Sequence, residues 1–194
     1  MAQGKQAKIL TVAQTRAILN HLDSTRWAER NRAMFLLSVK AGLRAKEIAN
    51  LTWPMVTDSE GNVADTIQLE DKAAKGDSGR TIPMNKELQA ALKVYQAAPY
   101  RKSGDYVLTS ERANRMAPSS VATWFYDLYK KLGYEGCSSH SGRRTFVTNG
   151  AKKIVEAGGS LRDIQQLVGH KSLQTTQRYI EGDSDAKRKL VDMI

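Results

Sequence analysis

Residues 167–180 read LVGHKSLQTTQRYI, and the spacing inside that string decides how the C-terminal part of the chain folds. His170 and Tyr179 lie nine positions apart, which on one unbroken helix would set them about 180° apart around the axis, on opposite faces. Gly169 offers a helix C-terminus and Ser172 a fresh N-cap. The string therefore reads as a helix over 160–168, a break, and a second helix over 172–180. The chain has seven tyrosines, and one near the C-terminus is by default a partly buried packing residue, so Tyr179 takes its meaning from its company.

Working outward, HSGRRTF at 140–146 opens a helix expected to run to 157. His140 and Arg143 are three apart and so share a face, and Ser138, Ser139 and Gly142 put that face near the first turn. Helix N-termini present unpaired N–H groups and partial positive charge, which with a guanidinium and an imidazole makes a seat for phosphate; a surface arginine beside a capping histidine is the plainer reading. Arg144 is either a solvated or a phosphate-positioning charge. Further upstream, AGLRAKEIANL at 41–51 carries Arg44 and Glu47 at the same three-residue spacing. Either they form an exposed ion pair, or Glu47 orients an arginine whose planar fork grips two phosphate oxygens. Lys75, in the turn of KGDSGRTIPM at 75–84, is a solubilising charge or a mobile acid on a hairpin tip.

The remaining elements follow from caps and periodicity. Thr11 and Gln14 form a capping box for a helix reaching Asp23. Ser24 or Thr25 caps a second, ending at Gly42, and residues 45–51 form a short third helix that Trp53-Pro54 stops. Val63 to Leu69 and Arg80 to Met84 read as strands, with Tyr106 to Leu108 as a third. Helices are expected over 85–98, 118–132 and 183–193 as well. The sum is one domain over residues 1–194, mainly α with a small antiparallel β-sheet, preceded by a basic leader at 1–8.

Composition narrows the partner. Thirty Lys and Arg against twenty Asp and Glu give a net charge of +10 in 194 residues. With a pI near 9.7, this favours a polyanion bound through phosphate neutralisation. The longest largely apolar stretch, Ala33 to Val39, is far short of the roughly 20 residues that span a bilayer, and no signal-peptide core follows the N-terminus. No membrane partner is expected, and the protein is read as cytoplasmic or, in a bacterium, nucleoid-associated. Cys137 is the single cysteine and reads as a loop or packing residue, and His21 as a surface residue. With no carboxylate cluster or Cys/His set, neither a metal nor another cofactor is expected.

Taken in order, Arg44, Glu47, Lys75, His140, Arg143, His170 and Tyr179 resemble the catalytic domain of the tyrosine recombinase (phage integrase) family. Its arginine box is matched by AGLRAKEIANL, its hairpin lysine by KGDSGRTIPM, its HxxR box by HSGRRTF and its end by LVGHKSLQTTQRYI, so the resemblance covers residues 8 to about 181. Lys75 is preferred over Lys72 because it keeps the family's five-residue interval to Arg80. The resemblance implies a site-specific recombinase acting on double-stranded DNA. Tyr179 would attack the scissile phosphate, Arg44 and Arg143 grip its oxygens, and His140 help take the tyrosine proton. His170 would hydrogen-bond the phosphate, Lys75 protonate the leaving oxygen and Glu47 hold the arginine. Arg80, Arg144 and Lys171 are expected to touch DNA.

The resemblance further implies a tetramer on DNA, a monomer when free and accessory DNA-bending proteins. The segment from Asp183 to Ile194 would dock on a neighbour or in cis. The family's N-terminal clamp domain has no counterpart here, so the chain is either an excised catalytic domain or a short recombinase, with weak, salt-sensitive DNA binding. Gly142 departs from the Leu common in the HxxR box. Type IB topoisomerase-like strand relaxation and a non-catalytic DNA-binding module remain the alternatives.

Overall fold

The computed structural model describes residues 6–74, 78–179, 191 and 192. Lys75 and nearly all of the expected helix 183–193 lie outside the described residues.

Helix α1, Val12–Asp23, starts on the expected capping box: Thr11 Oγ1 accepts from the backbone N–H of Gln14, whose side chain accepts from that of Thr11. Helix α2, Ala28–Ala41, is buried nearly all round, from Ala33 through Val39; a helix apolar on every side belongs inside its fold. It ends at Gly42, whose φ of 65° is the left-handed cap the sequence calls for. Its start is a correction. The N-cap is Trp27, because the Ser24 and Thr25 hydroxyls turn back to the carbonyls of His21 and Leu22 and close α1 instead.

Helix α3, Ala45–Asn50, follows at once, and a single 3-10 turn over Trp53–Met55 stands where Pro54 forbids its continuation. Strands β1, Thr66–Leu69, and β2, Arg80–Pro83, pair antiparallel with Ile67 opposite Ile82 and Leu69 opposite Arg80. The third strand does not form. Tyr106 makes one isolated bridge to Thr52 before the 3-10 turn carries the chain away.

Five helices follow the hairpin among the described residues. Lys86–Gln96 is α4 and Pro118–Lys131 is α5. Ser141–Lys153 is α6, Leu161–Val168 is α7 and Leu173–Gln177 is α8. Helix α6 stops short of the expected 157 because the chain unwinds through turns to Gly158, at φ 74°. Helices α4 and α6 both lie on α2, and α5 lies on α3. The α2–α6 crossing explains Gly142: a Cβ there would stand 2.3 Å from Ser38 Oγ and 2.9 Å from Ser38 Cβ. A glycine that looks like a weak helix start is what lets α6 approach the central helix.

The core divides in two. The larger part holds Phe35, Tyr95, Phe125 and Tyr129, and the smaller gathers Val147, Ile164 and Val168, with Phe146 and Tyr179 against it. The residues read as a leader are partly tied down. Lys8 N–H donates to Gly136 O, Leu10 N–H to Thr145 Oγ1, and Arg144 Nη1 to Ala7 O.

Candidate active site

Glu47 sits in the first turn of α3 with no solvent exposure, and three guanidinium groups from three elements converge on it. Arg44, the residue preceding α3, donates from its backbone N–H to Oε2 at 2.9 Å and from Nη1 to Oε1 at 2.7 Å. Arg80, on β2, makes a fork to both oxygens, each at 3.1 Å. Arg143, on α6, brings Nη1 to 3.9 Å from Oε2. Burial works to raise the Glu47 carboxyl, but the hydrogen bonds and charge of Arg80, then of Arg44, overcome it and hold the group below the usual carboxylate range. Burial first, and then the charge of Arg44, lowers Arg143, which stays charged at neutral pH.

The same arginines close the end of α7. A helix leaves its last carbonyls without internal partners. Arg80 Nε donates to Leu167 O at 2.8 Å, Arg143 Nη2 to Val168 O at 2.6 Å and Arg44 Nη2 to Gly169 O at 3.5 Å. Gly169, at φ 63°, then turns the chain, and the N–H groups of Gly169 and His170 return to the carbonyls of Gln166 and Gln165. His170 is thereby delivered beside the cluster, where it is 9% exposed. Burial, followed by the charges of Arg143, Arg44 and Arg80, pushes its pKa from 6.5 down to about 4, so the ring is neutral at physiological pH.

Helix α8 brings the phenol back. Ser172 caps it, accepting from Thr175 N–H, and the His170 and Tyr179 rings stack with centroids 5.4 Å apart and planes 18° from parallel. Nδ1 of His170 lies 2.9 Å from Oγ1 of the fully buried Thr176. Thr148 Oγ1 donates to the Tyr179 carbonyl at 3.3 Å. The Arg144 guanidinium lies over the Tyr179 ring, 5.9 Å from its centre. Tyr179 is close enough to Arg143 for the two to interact electrostatically.

Arg44, Glu47, Arg143, His170 and Tyr179 are thus brought together from segments scattered through the chain. His140, one turn before Arg143, is exposed and precedes α6 without capping it through its side chain. Lys171 is exposed. Arg144 is half-buried and held to Ala7, which makes it a support of Tyr179 in addition to a surface charge. Arg80, expected to touch DNA, has a side chain 7% exposed that donates to Glu47, Leu167 O and Ser78 O. It buttresses the site from beneath. Strand alternation carried that signal, since Arg80 shares the inward side with Ile82. Thr176 had no such signal, being one of two adjacent threonines in a short polar helix.

A constellation of arginines, histidine and tyrosine on a mainly helical domain with one small hairpin defines the phage integrase class, and residues 8–185 match that family. The chain belongs to it. It is 30% identical over 185 residues to the tyrosine recombinase XerA of Thermococcus kodakarensis, covering 94% of this chain and 61% of the relative. To the tyrosine recombinase XerC of Rickettsia prowazekii it is 29% identical over 187 residues, covering 91% and 58%. It therefore spans about three-fifths of the length of these curated relatives. A crystal structure of XerA recombinase aligns with a TM-score of 0.76 at 26% identity, over 98% of this chain and 66% of that one. The Tn1549 transposon integrase, solved in complex with circular intermediate DNA, shares the fold with a TM-score of 0.76 at 19% identity.

Proposed function

We propose that this chain carries the catalytic chemistry of a site-specific DNA recombinase that cuts and rejoins double-stranded DNA through a 3′-phosphotyrosine. The observation that carries this reading is the gathering of Arg44, Arg143, His170 and Tyr179 around Glu47. In the cleavage step the Tyr179 oxygen attacks phosphorus, the bond to the 5′ oxygen breaks, and a free 5′ hydroxyl leaves. The reverse attack by a 5′ hydroxyl reseals the strand, so the bond energy is kept and no nucleotide cofactor is consumed.

Three guanidinium groups against one carboxylate leave two net positive charges. That balance suits the transition state, whose phosphorane carries about two negative charges where the ground-state diester carries one, so stabilisation grows along the reaction. Arg44 and Arg143 take the phosphate oxygens, with Arg80 beneath them in the charge balance around Glu47. His170 hydrogen-bonds the phosphate, and His140 helps accept the tyrosine proton. Lys75 protonates the leaving oxygen, and Arg144 and Lys171 hold flanking phosphates. The active assembly is a tetramer of copies on DNA, aided by DNA-bending proteins and built from monomers in the cytoplasm.

A nicked suicide duplex carrying the attachment site tests this on a denaturing gel. The wild type forms a covalent adduct, and Tyr179→Phe binds the duplex without forming one. No adduct from wild type on a site it binds would refute strand cleavage.

A further inference from the structure

His170 has two ring nitrogens, and only one has a partner among the described residues. Nδ1 is 2.9 Å from the Thr176 hydroxyl, inside a side chain with no solvent exposure. Two proton placements fit that distance. With the proton on Nδ1, the Thr176 oxygen accepts and its own hydrogen is left with no acceptor among the described residues. The hydroxyl does not turn to the backbone of its own helix, the usual outlet for a helical threonine. With the proton on Nε2, Thr176 donates to the bare Nδ1, and the Nε2–H, which is not among the fully buried unpartnered atoms of the described residues, is left on the exposed edge of the ring where water accepts from it. A buried donor without an acceptor costs far more than a spare lone pair, which selects the second placement.

We propose that Thr176 is a positioning residue that fixes His170 as its Nε2–H tautomer, so that the ring presents a hydrogen-bond donor to the phosphate bound by Arg44 and Arg143. This rests on the strand-cleavage reading for its consequence, though the tautomer itself is a property of the free protein. The surroundings keep the ring in the singly protonated state in which the choice of nitrogen matters. Burial, then Arg143, Arg44 and Arg80, disfavours a second proton, with Glu47 opposing, and the Tyr179 ring covers one face. A ring with the proton on Nδ1 would instead turn a lone pair toward an anion and repel it.

Long-range proton–nitrogen NMR on the free protein at neutral pH reads the tautomer directly, with the ring assigned by its loss in His170→Gln. The wild type is expected to show an unprotonated Nδ1 and a protonated Nε2. Thr176→Val, of nearly the same shape, mixes or reverses the two signals, and Thr176→Ser restores them. A wild-type ring protonated on Nδ1, or a valine variant with unchanged signals, overturns the proposal. If the valine variant fails to fold, the wild-type and serine spectra still decide.

Single-turnover cleavage of the suicide duplex supplies the second readout. Thr176→Val is expected to cleave about tenfold more slowly with DNA affinity unchanged, and Thr176→Ser to stay within about twofold of wild type. Equal rates for valine and wild type overturn the positioning role. A wild type that cleaves nothing while showing the expected ring signals refutes the recombinase reading and leaves the tautomer assignment standing.

Discussion

Glu47 has no contact with solvent, yet it stays ionised because Arg44, Arg80 and Arg143 surround it. Removing one partner from a buried ion network leaves the others uncompensated, which is worse than never having built it. Glu47→Gln keeps the shape and removes the charge, and it is expected to lose about 3–5 kcal/mol of stability in urea denaturation. A loss below about 1 kcal/mol would mean that the arginines turn out to water. His170 supplies a pH signature. Its folded pKa near 4 lies below the ordinary 6.5, so on acidification the unfolded chain takes up the proton first. The stability gained by keeping the ring neutral is fully present above about pH 6.5 and is lost as pH falls toward 4. The urea midpoint of the wild type should fall between pH 6.5 and 4.5, and His170→Gln should show a shallower fall over the same window. Parallel curves would refute the depressed pKa.

Among the elements, α6 depends on a missing side chain. Gly142→Ala drives a methyl group into Ser38 on α2, and overpacking of this kind costs about 1–3 kcal/mol. Thermal melts should show Gly142→Ala less stable than wild type, with Ser38→Gly in the same chain recovering part of the loss; additive losses would mean the two sites do not meet. Helices and strands were largely legible because their signals are local, as with the Thr11–Gln14 box and Gly42. Where reading failed, a short-range competitor or a long-range partner decided. The Ser24 and Thr25 hydroxyls preferred the carbonyls of α1 behind them to the helix ahead. The spacing of Arg44 and Glu47 announced an ion pair, but Arg80, which makes that pair a buried network, lies 33 residues further on. Catalytic candidates were read as an ordered set of residue types, and strand alternation marked Arg80 as inward, whereas its partners and the contact of Thr176 are tertiary and no spacing encodes them.

For the molecule as a whole, the proposed function together with the net charge of +10 makes phosphate neutralisation the expected main source of DNA affinity. Log affinity should fall linearly with log salt, with a slope of about 0.9 per phosphate neutralised. Filter binding on one duplex site at several salt concentrations measures it; an affinity that does not change with salt would contradict the prediction. The arginines of the site are held by carbonyls far along the chain: Arg44 reaches Gly169 across 125 positions and Arg80 reaches Leu167 across 87. During translation, a ribosome-bound chain that has not yet reached α7 has the arginines but none of these acceptors, and neither His170 nor Tyr179. On the proposed function, a nascent chain gains the capacity to break DNA only after Tyr179 has been added and α7 and α8 have closed on the arginines.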